Sequence, residues 1–242
     1  MTPKLDELKR RLQAVFDLNM TSAGLSWDQT CYMPPGGAEA RGRQMALIGA
    51  LAHERMCDPE IGRLLDALEP WAATLPHDSD EAALVRVTRR DYDHATRIPS
   101  ELVKAMSEHF AHSYQVWTEA RPANDFARVR PLLEKTLELS RRMAACFPGY
   151  DSIADPLIDF SDHGMKAARV REVFGQLRSR LVPIARAIAA RPPVDDAPLH
   201  RRVAKERQLA FAEQVIRKMG YDFERGRQDL TAHPYMTKFS LG

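Results

Sequence analysis

Apolar residues recur at steps of three and four along almost the whole chain, the spacing of one face of an α-helix. Leu5, Leu8, Leu12, Val15 and Phe16 form the first stripe, with Thr2 placed as its N-cap and Pro3 in its first turn. Met45, Ile48, Leu51 and Ala52 mark a second helix that ends near Cys57. Asp58-Pro59 then opens a third through Leu64, Leu65 and Leu68. Ser79-Asp80-Glu81 starts a fourth, with a capping hydroxyl and acids where the helix dipole favours them. Pro99 starts a fifth, carrying Leu102, Val103, Met106, Phe110 and Trp117, and Asn124-Asp125 starts a sixth that Pro148-Gly149 stops. Pro131 inside that sixth pattern predicts a kink or a fresh helix start. The most regular stripe is Val170, Val173, Phe174, Leu177, Leu181, Ile184 and Ile188, broken by Arg191-Pro192-Pro193. A last helix runs through Leu209, Ala212, Val215, Ile216 and Met219 to Gly220. From Tyr221 the helical spacing is lost, and Leu230–Tyr235 has β-branched and aromatic content instead. The expected fold is all-α, one helical domain over 1–242, a bundle of long amphipathic helices with a short irregular or β segment at the C-terminal end.

Composition narrows the partners more than it changes this picture. The 242 residues carry 35 basic and 33 acidic side chains, a net charge of +2, so no overall field favours nucleic acid or a membrane surface. Three cysteines, Cys31, Cys57 and Cys146, are odd in number and far apart, and they read as reduced thiols rather than a disulfide framework. The first residues carry acids and no apolar core of a signal peptide, and no apolar run approaches the ~18 residues of a membrane span. The expected location is the cytoplasm, with no nucleic-acid or membrane partner.

Between the first two helical stripes lies Leu25-Ser26-Trp27-Asp28-Gln29-Thr30-Cys31-Tyr32-Met33-Pro34-Pro35-Gly36-Gly37-Ala38-Glu39-Ala40-Arg41. A generic helix–helix turn needs only a Gly or an Asn, and this connection is chemically far more particular. It resembles the loop after the first helix in the carboxypeptidase Taq family of metal-dependent carboxypeptidases. Other segments continue the resemblance in order: Ala50–Glu54, Ile98–Val103, Trp117–Arg121, Asn124–Phe126, Pro131–Lys135, then Asp155, Leu157, Asp159, Gly164-Met165 and Leu181–Pro183. Gly220–Asp229 and then His233-Pro234-Tyr235 look like the family's segment ending in His-Pro-Phe, with Tyr235 in place of the usual Phe. Singly these motifs are weak; in this order, end to end, they are specific.

The resemblance implies a helical wall and cover of a long groove, a peptide substrate, and a divalent metal, zinc or similar, in the complete enzyme. His233, Pro234 and Tyr235 are the implied groove residues. Trp27, Asp28, Tyr32, Pro34 and Pro35 form the signature loop, with a structural role. The family also works through a His-Glu-x-x-His metal helix, and no such motif occurs in these 242 residues. A metal lowers the pKa of its bound water from ~15.7 to ~7, which at ~1.36 kcal/mol per unit is roughly 12 kcal/mol. No set of uncharged side chains replaces a contribution of that size. The chain is therefore expected to correspond to the N-terminal half only, truncated before the metal site, with no catalytic residue, metal ligand or cofactor of its own and no activity alone.

The nearest imitation is His53-Glu54-Arg55-Met56-Cys57, which puts His53 and Cys57 on one helical face; the plainer reading is a surface His beside a buried Cys. His109 and His112 form another possible pair, read as helix-surface residues for want of a third ligand. Arg89-Arg90 and Arg201-Arg202 read as solvated helix faces with acids nearby. Two further expectations complete the reading. Uncovered apolar faces predict self-association or a homodimer. The rival to an enzyme part is a non-catalytic helical protein that keeps the groove and binds a peptide or a partner.

Overall fold

The computed structural model describes residues 3–240, and every element within them is helical or irregular. Nine α-helices follow in order: α1 (Pro3–Cys31), α2 (Ala38–Met56), α3 (Pro59–Ala72), α4 (Asp80–Arg97), α5 (Ser100–Ala120), α6 (Phe126–Ala145), α7 (Asp155–Asp159), α8 (Ala167–Ala189) and α9 (Lys205–Lys218). Two 3₁₀ turns, Pro35–Gly37 and Ala197–His200, complete the described secondary structure. The all-α reading holds, and of the two forms expected for the C-terminal segment it is the irregular one that occurs. Thr2, expected as the first cap, lies outside the described residues. No helix among the described residues is long and apolar enough to cross a membrane.

The sequence signals act at most boundaries through identifiable bonds. Asp58 Oδ1 accepts from the Glu60 amide at the start of α3, the Ser79 hydroxyl from the Ala82 amide of α4, and Asp125 from the Arg128 amide of α6. Gly149 and Gly220 take left-handed φ of 91° just past α6 and α9, where a side chain would be strained. Pro131 gives no fresh start: α6 runs from Phe126 through it to Ala145. Pro131 is the sixth residue of that helix, so its missing N–H removes one early bond and leaves the remaining turns intact.

The signature connection is shorter than its sequence suggests. Trp27 and Asp28, read as loop residues, belong to the last turns of α1. Nothing between Leu25 and Cys31 lacks an amide proton, so the helix runs on to Cys31, three residues before Pro34. The Asp28 carbonyl accepts from both the Tyr32 and Met33 amides at 2.9 and 2.8 Å and closes the helix end. Tyr32, Pro34 and Pro35 do lie in the true connection, all exposed.

The described residues divide into two compact units, one comprising 3–157 with 230–240 and the other 158–229. In the first, Leu5 and Leu8 of α1 pack with Ile61, Leu65 and Leu68 of α3 and Val85 of α4, all fully or almost fully buried. Gly62 makes room there for a close approach: a Cβ on it would stand 2.8 Å from the Tyr92 hydroxyl of α4. Charged bonds tie the same helices at their rims. Arg11 of α1 donates to Asp58 Oδ2 at 2.6 Å while the other Asp58 oxygen caps α3. Arg89 is not the solvated residue expected: its guanidinium is mostly covered, and it bridges Asp66 and Glu69 of α3 to its own helix. Burial works against its charge, but the bonds to Glu69 and Asp66 outweigh that and raise its pKa.

In the second unit α8 and α9 carry few buried residues, and the face of α8 that reads most cleanly as a core stripe is exposed. Arg201 and Arg202 are exposed too, but in the coil before α9 rather than on a helix. Asp159 is buried and accepts from the Gly164 amide at 2.7 Å, closing the turn before α8.

The packing at the first unit's centre sets a stability expectation. Replacing Leu65 by Ala removes a fully buried side chain and lowers the unfolding free energy by about 3 kcal/mol. A urea titration of the variant reads this as a lower midpoint at unchanged slope.

Candidate functional site

A groove forms in the first unit where α1, α2 and α5 meet the irregular C-terminal segment. It encloses a cavity of about 450 Å³. Ser26 and Thr30 of α1, Met45 of α2, and Phe110 and Tyr114 of α5 line it, and His233 and Tyr235 close it from the C-terminal segment. The lining mixes apolar side chains with hydroxyls, the Gln29 amide and an imidazole, the composition typical of sites for small organic ligands.

Each wall has a local cause. The upper end of α1 is held to α2 by Arg41, whose side chain is only 14% exposed. Arg41 Nη2 donates to Asp28 Oδ2 at 2.6 Å, and Nη1 donates to the Leu25 carbonyl. Asp28 thus anchors the α1–α2 corner. Trp27 stacks edge-on against Tyr32 at 5.5 Å and against Phe239 of the C-terminal segment at 5.9 Å between ring centroids.

The C-terminal segment is strapped across α1 and α5. The Tyr235 hydroxyl lies 2.6 Å from Thr30 Oγ1, and the His233 ring packs against Trp117 at 6.1 Å. Proton counting fixes the direction of the first bond. The Thr30 hydroxyl has one proton, which it gives to the helix carbonyls of Trp27 and Ser26 at 2.9 and 3.1 Å. Tyr235 is therefore the donor and Thr30 the acceptor. The phenol offers a ligand only its remaining lone pairs, so it suits an N–H and not a carboxylate. Pro234 fixes the backbone between the two rings and has an exposed side chain.

The structure brings His233 and Tyr235 together at the cavity, while Trp27 and Asp28 belong to the last turns of α1 and do not line it. It adds Thr30, Ser26, Met45 and Tyr114, which the sequence reading did not single out. Phe110 was legible in part: it belongs to the apolar stripe of α5 yet is half exposed, because it faces the cavity and not a neighbouring helix.

The chain presents a helical scaffold with a half-open groove lined by hydroxyl-bearing and apolar side chains. The sequence profile of the carboxypeptidase Taq (M32) metallopeptidases matches residues 7–241, and the chain belongs to that family. It is 32% identical over 250 residues to thermostable carboxypeptidase 1 of Thermus thermophilus, covering 97% of this chain and 48% of that protein. It is 26% identical to thermostable carboxypeptidase 1 of Pyrococcus furiosus, covering 98% of this chain and 48% of the relative. Among solved structures, the M32 carboxypeptidase of Deinococcus radiodurans R1 is 48% identical with a TM-score of 0.78, over 98% of this chain and 47% of that one. The chain spans about half the length of the relatives it matches.

The family implies a divalent metal, and the residues present do not fit one. Among the described residues no group of three or more His, Cys, Asp or Glu side chains is placed to hold an ion. His53 and Cys57 come closest, with Sγ 3.6 Å from Nε2. That same nitrogen lies 3.1 Å from the Ile98 carbonyl, to which it donates, and burial pushes the Cys57 thiol up from its ordinary pKa. The pair is a strut between α2 and the turn joining α4 to α5, with a neutral thiol where a ligand would need a thiolate. His109 is not the surface residue expected. Its Nε2 lies 2.9 Å from Thr136 Oγ1 of α6, while His112 is exposed.

Two outcomes follow. Tyr235→Phe removes the bond to Thr30 while keeping the ring, which loosens the strap by about 1 kcal/mol. Hydrogen exchange of the backbone around Tyr235 accelerates accordingly, with the amides of α3 unchanged. Cys57 is alkylated by iodoacetamide more slowly than an unhindered thiol at the same pH, and its rate rises only at a higher pH than theirs. Because the folded state holds that thiol proton more tightly than the unfolded one, stability from this group is full below the ordinary thiol pKa. It is lost as pH climbs through the raised folded value.

Proposed function

We propose that this chain supplies the peptide-groove portion of a metal-dependent carboxypeptidase and does not hydrolyse peptides unaided. The observation that carries the proposal is the groove itself. His233 and Tyr235, the residues that the family resemblance assigns to substrate, line a cavity whose size suits one or two amino-acid residues. Family membership supports the substrate class, since its relatives are carboxypeptidases.

This chain's own groups divide the work of holding a peptide. Met45, Phe110 and Tyr114 offer apolar and aromatic surface for a side chain. His233, standing exposed at the rim on Trp117, is free to orient a carbonyl or a terminal carboxylate through a ring N–H. Tyr235 accepts from a peptide N–H, as its own proton is committed to Thr30. These contacts bind and align; none of them activates water. The unaided inactivity follows from the donor set, which provides neither the His-Glu-x-x-His helix nor an equivalent cluster among the described residues.

The purified 242-residue chain, supplied with zinc or cobalt, is expected to release no free amino acid from an N-blocked dipeptide. It is expected to bind that dipeptide, with His233→Ala weakening binding about ten-fold, roughly the loss of one charge-assisted hydrogen bond. Metal-dependent release would overturn the inactivity. Calorimetry showing no binding, or binding that His233→Ala leaves unchanged, would overturn the groove assignment.

A further inference from the structure

The chemistry of the groove divides by helix. Ser22, Ser26 and Gln29 line it from α1, and the span from Ser22 to Gln29 is about 10 Å at 1.5 Å per residue. That length matches roughly three residues of extended chain at ~3.3–3.6 Å each. Thr30 ends the row, its proton given to the helix carbonyls and its oxygen accepting from Tyr235. Hydroxyls and an amide in such a row suit the N–H and C=O groups of a peptide backbone, which need partners once water is displaced.

The facing wall is of another kind. Met45 of α2 and Phe110, Ala111 and Tyr114 of α5 line it. Phe110 is a large aromatic residue left 45% exposed. Tyr114 lies 5.9 Å from Trp117 between ring centroids, and Trp117 lies 6.1 Å from His233, so a row of rings backs the wall. None of the described residues lining the cavity is Asp, Glu, Lys or Arg. Arg41 and Asp28, at the α1–α2 corner, neutralise one another at 2.6 Å and do not line it. A charged side chain entering here leaves water and gains no counter-charge, whichever its sign. An aromatic or unbranched aliphatic side chain gives up nothing polar and gains apolar contact.

We propose that the groove selects peptides for lack of charge. The backbone lies along α1, an aromatic or long aliphatic side chain packs on Phe110 and Met45, and acidic and basic side chains are excluded alike. This rests on the reading of the groove as a peptide site and adds to it the class of peptide. Exclusion of both signs is the distinguishing mark: a surface field favours one sign over the other, whereas an uncharged cavity penalises both.

The test is calorimetry on the full chain with N-acetylated homodipeptides of Phe, norleucine, Lys, Asn and Asp, so that both positions carry the same side chain. The Phe and norleucine dipeptides are expected to bind about ten-fold tighter than those of Lys and Asp. Lys against norleucine and Asp against Asn isolate the charge at similar shape, and the charged member of each pair is expected to be the weaker. Phe110→Arg, at a half-exposed position and with unchanged circular dichroism, brings the Asp dipeptide level with the Phe dipeptide or above it. Met45→Lys on the other helix carries the same expectation. Gln29→Leu, on the backbone wall, weakens every dipeptide by a similar factor and keeps their order. Equal affinity across the series, or tighter binding of one charged dipeptide than of norleucine, while His233→Ala still weakens binding, overturns the selectivity and leaves the peptide site standing. An order that neither Phe110→Arg nor Met45→Lys alters, or that Gln29→Leu alters in their place, also overturns it. Binding of no dipeptide overturns the selectivity and the peptide site together.

Discussion

The guanidinium of Arg41 reaches back from the start of α2 to the Leu25 carbonyl and the Asp28 carboxylate, and the groove depends on that reach. The turn it braces is short, only Tyr32–Pro34 before the 3₁₀ residues Pro35–Gly37, so α1 and α2 must fold back on one another sharply. The two helices pack extensively, with Ala46 and Ala52 of α2 buried, and the corner adds a directional constraint to that packing. A largely covered cation with two oxygen partners supplies it. Its Nε is buried without a partner among the described residues, so the clamp carries a desolvation cost that its two other bonds offset. Once the corner is fixed, Thr30 stands where Tyr235 can reach it, and the C-terminal segment closes the cavity.

The two ends of the first unit therefore rest on different physics. At the lower end, Leu5 and Leu8 meet α3 through fully buried aliphatic contact, a non-directional force that many side-chain sets could provide. At the upper end, directional bonds hold the geometry: Arg41 to Asp28, Tyr235 to Thr30, Thr30 to its own helix. Stability is concentrated where specificity is low, and the groove is built where the core is thin. That division is common where a rigid scaffold presents a site.

The helices were legible because period, caps and breakers agree at most boundaries. Ser79, Asp58 and Asp125 cap where their residue types predict, and Gly149 and Gly220 stop where only a left-handed residue fits. The misreadings share a cause. Trp27 and Asp28 read as loop residues because Pro and Gly follow closely, whereas nothing within Leu25–Cys31 itself breaks the helix. Arg89 was assigned to solvent because a paired arginine and a free one look alike until α3 is placed beside α4. His233 and Tyr235, singled out through family resemblance and not pattern, line the cavity. Thr30 was not legible at all, since a mid-helix threonine gives no sign that a tyrosine 205 positions away will donate to it.

α1 is continuous from the core to the groove, and a continuous helix transmits rotation as displacement. About 33 Å separate Leu8 from Thr30 along its axis at 1.5 Å per residue. A tilt of only 3° about the Leu8 contact would swing the Thr30 hydroxyl by about 1.7 Å, enough to part it from the Tyr235 phenol. The helix is in this sense a lever with its fulcrum in the aliphatic core. A substitution that merely reseats Leu5 or Leu8 would be magnified at the far end, so the shape of the cavity is decided partly by residues that never border it.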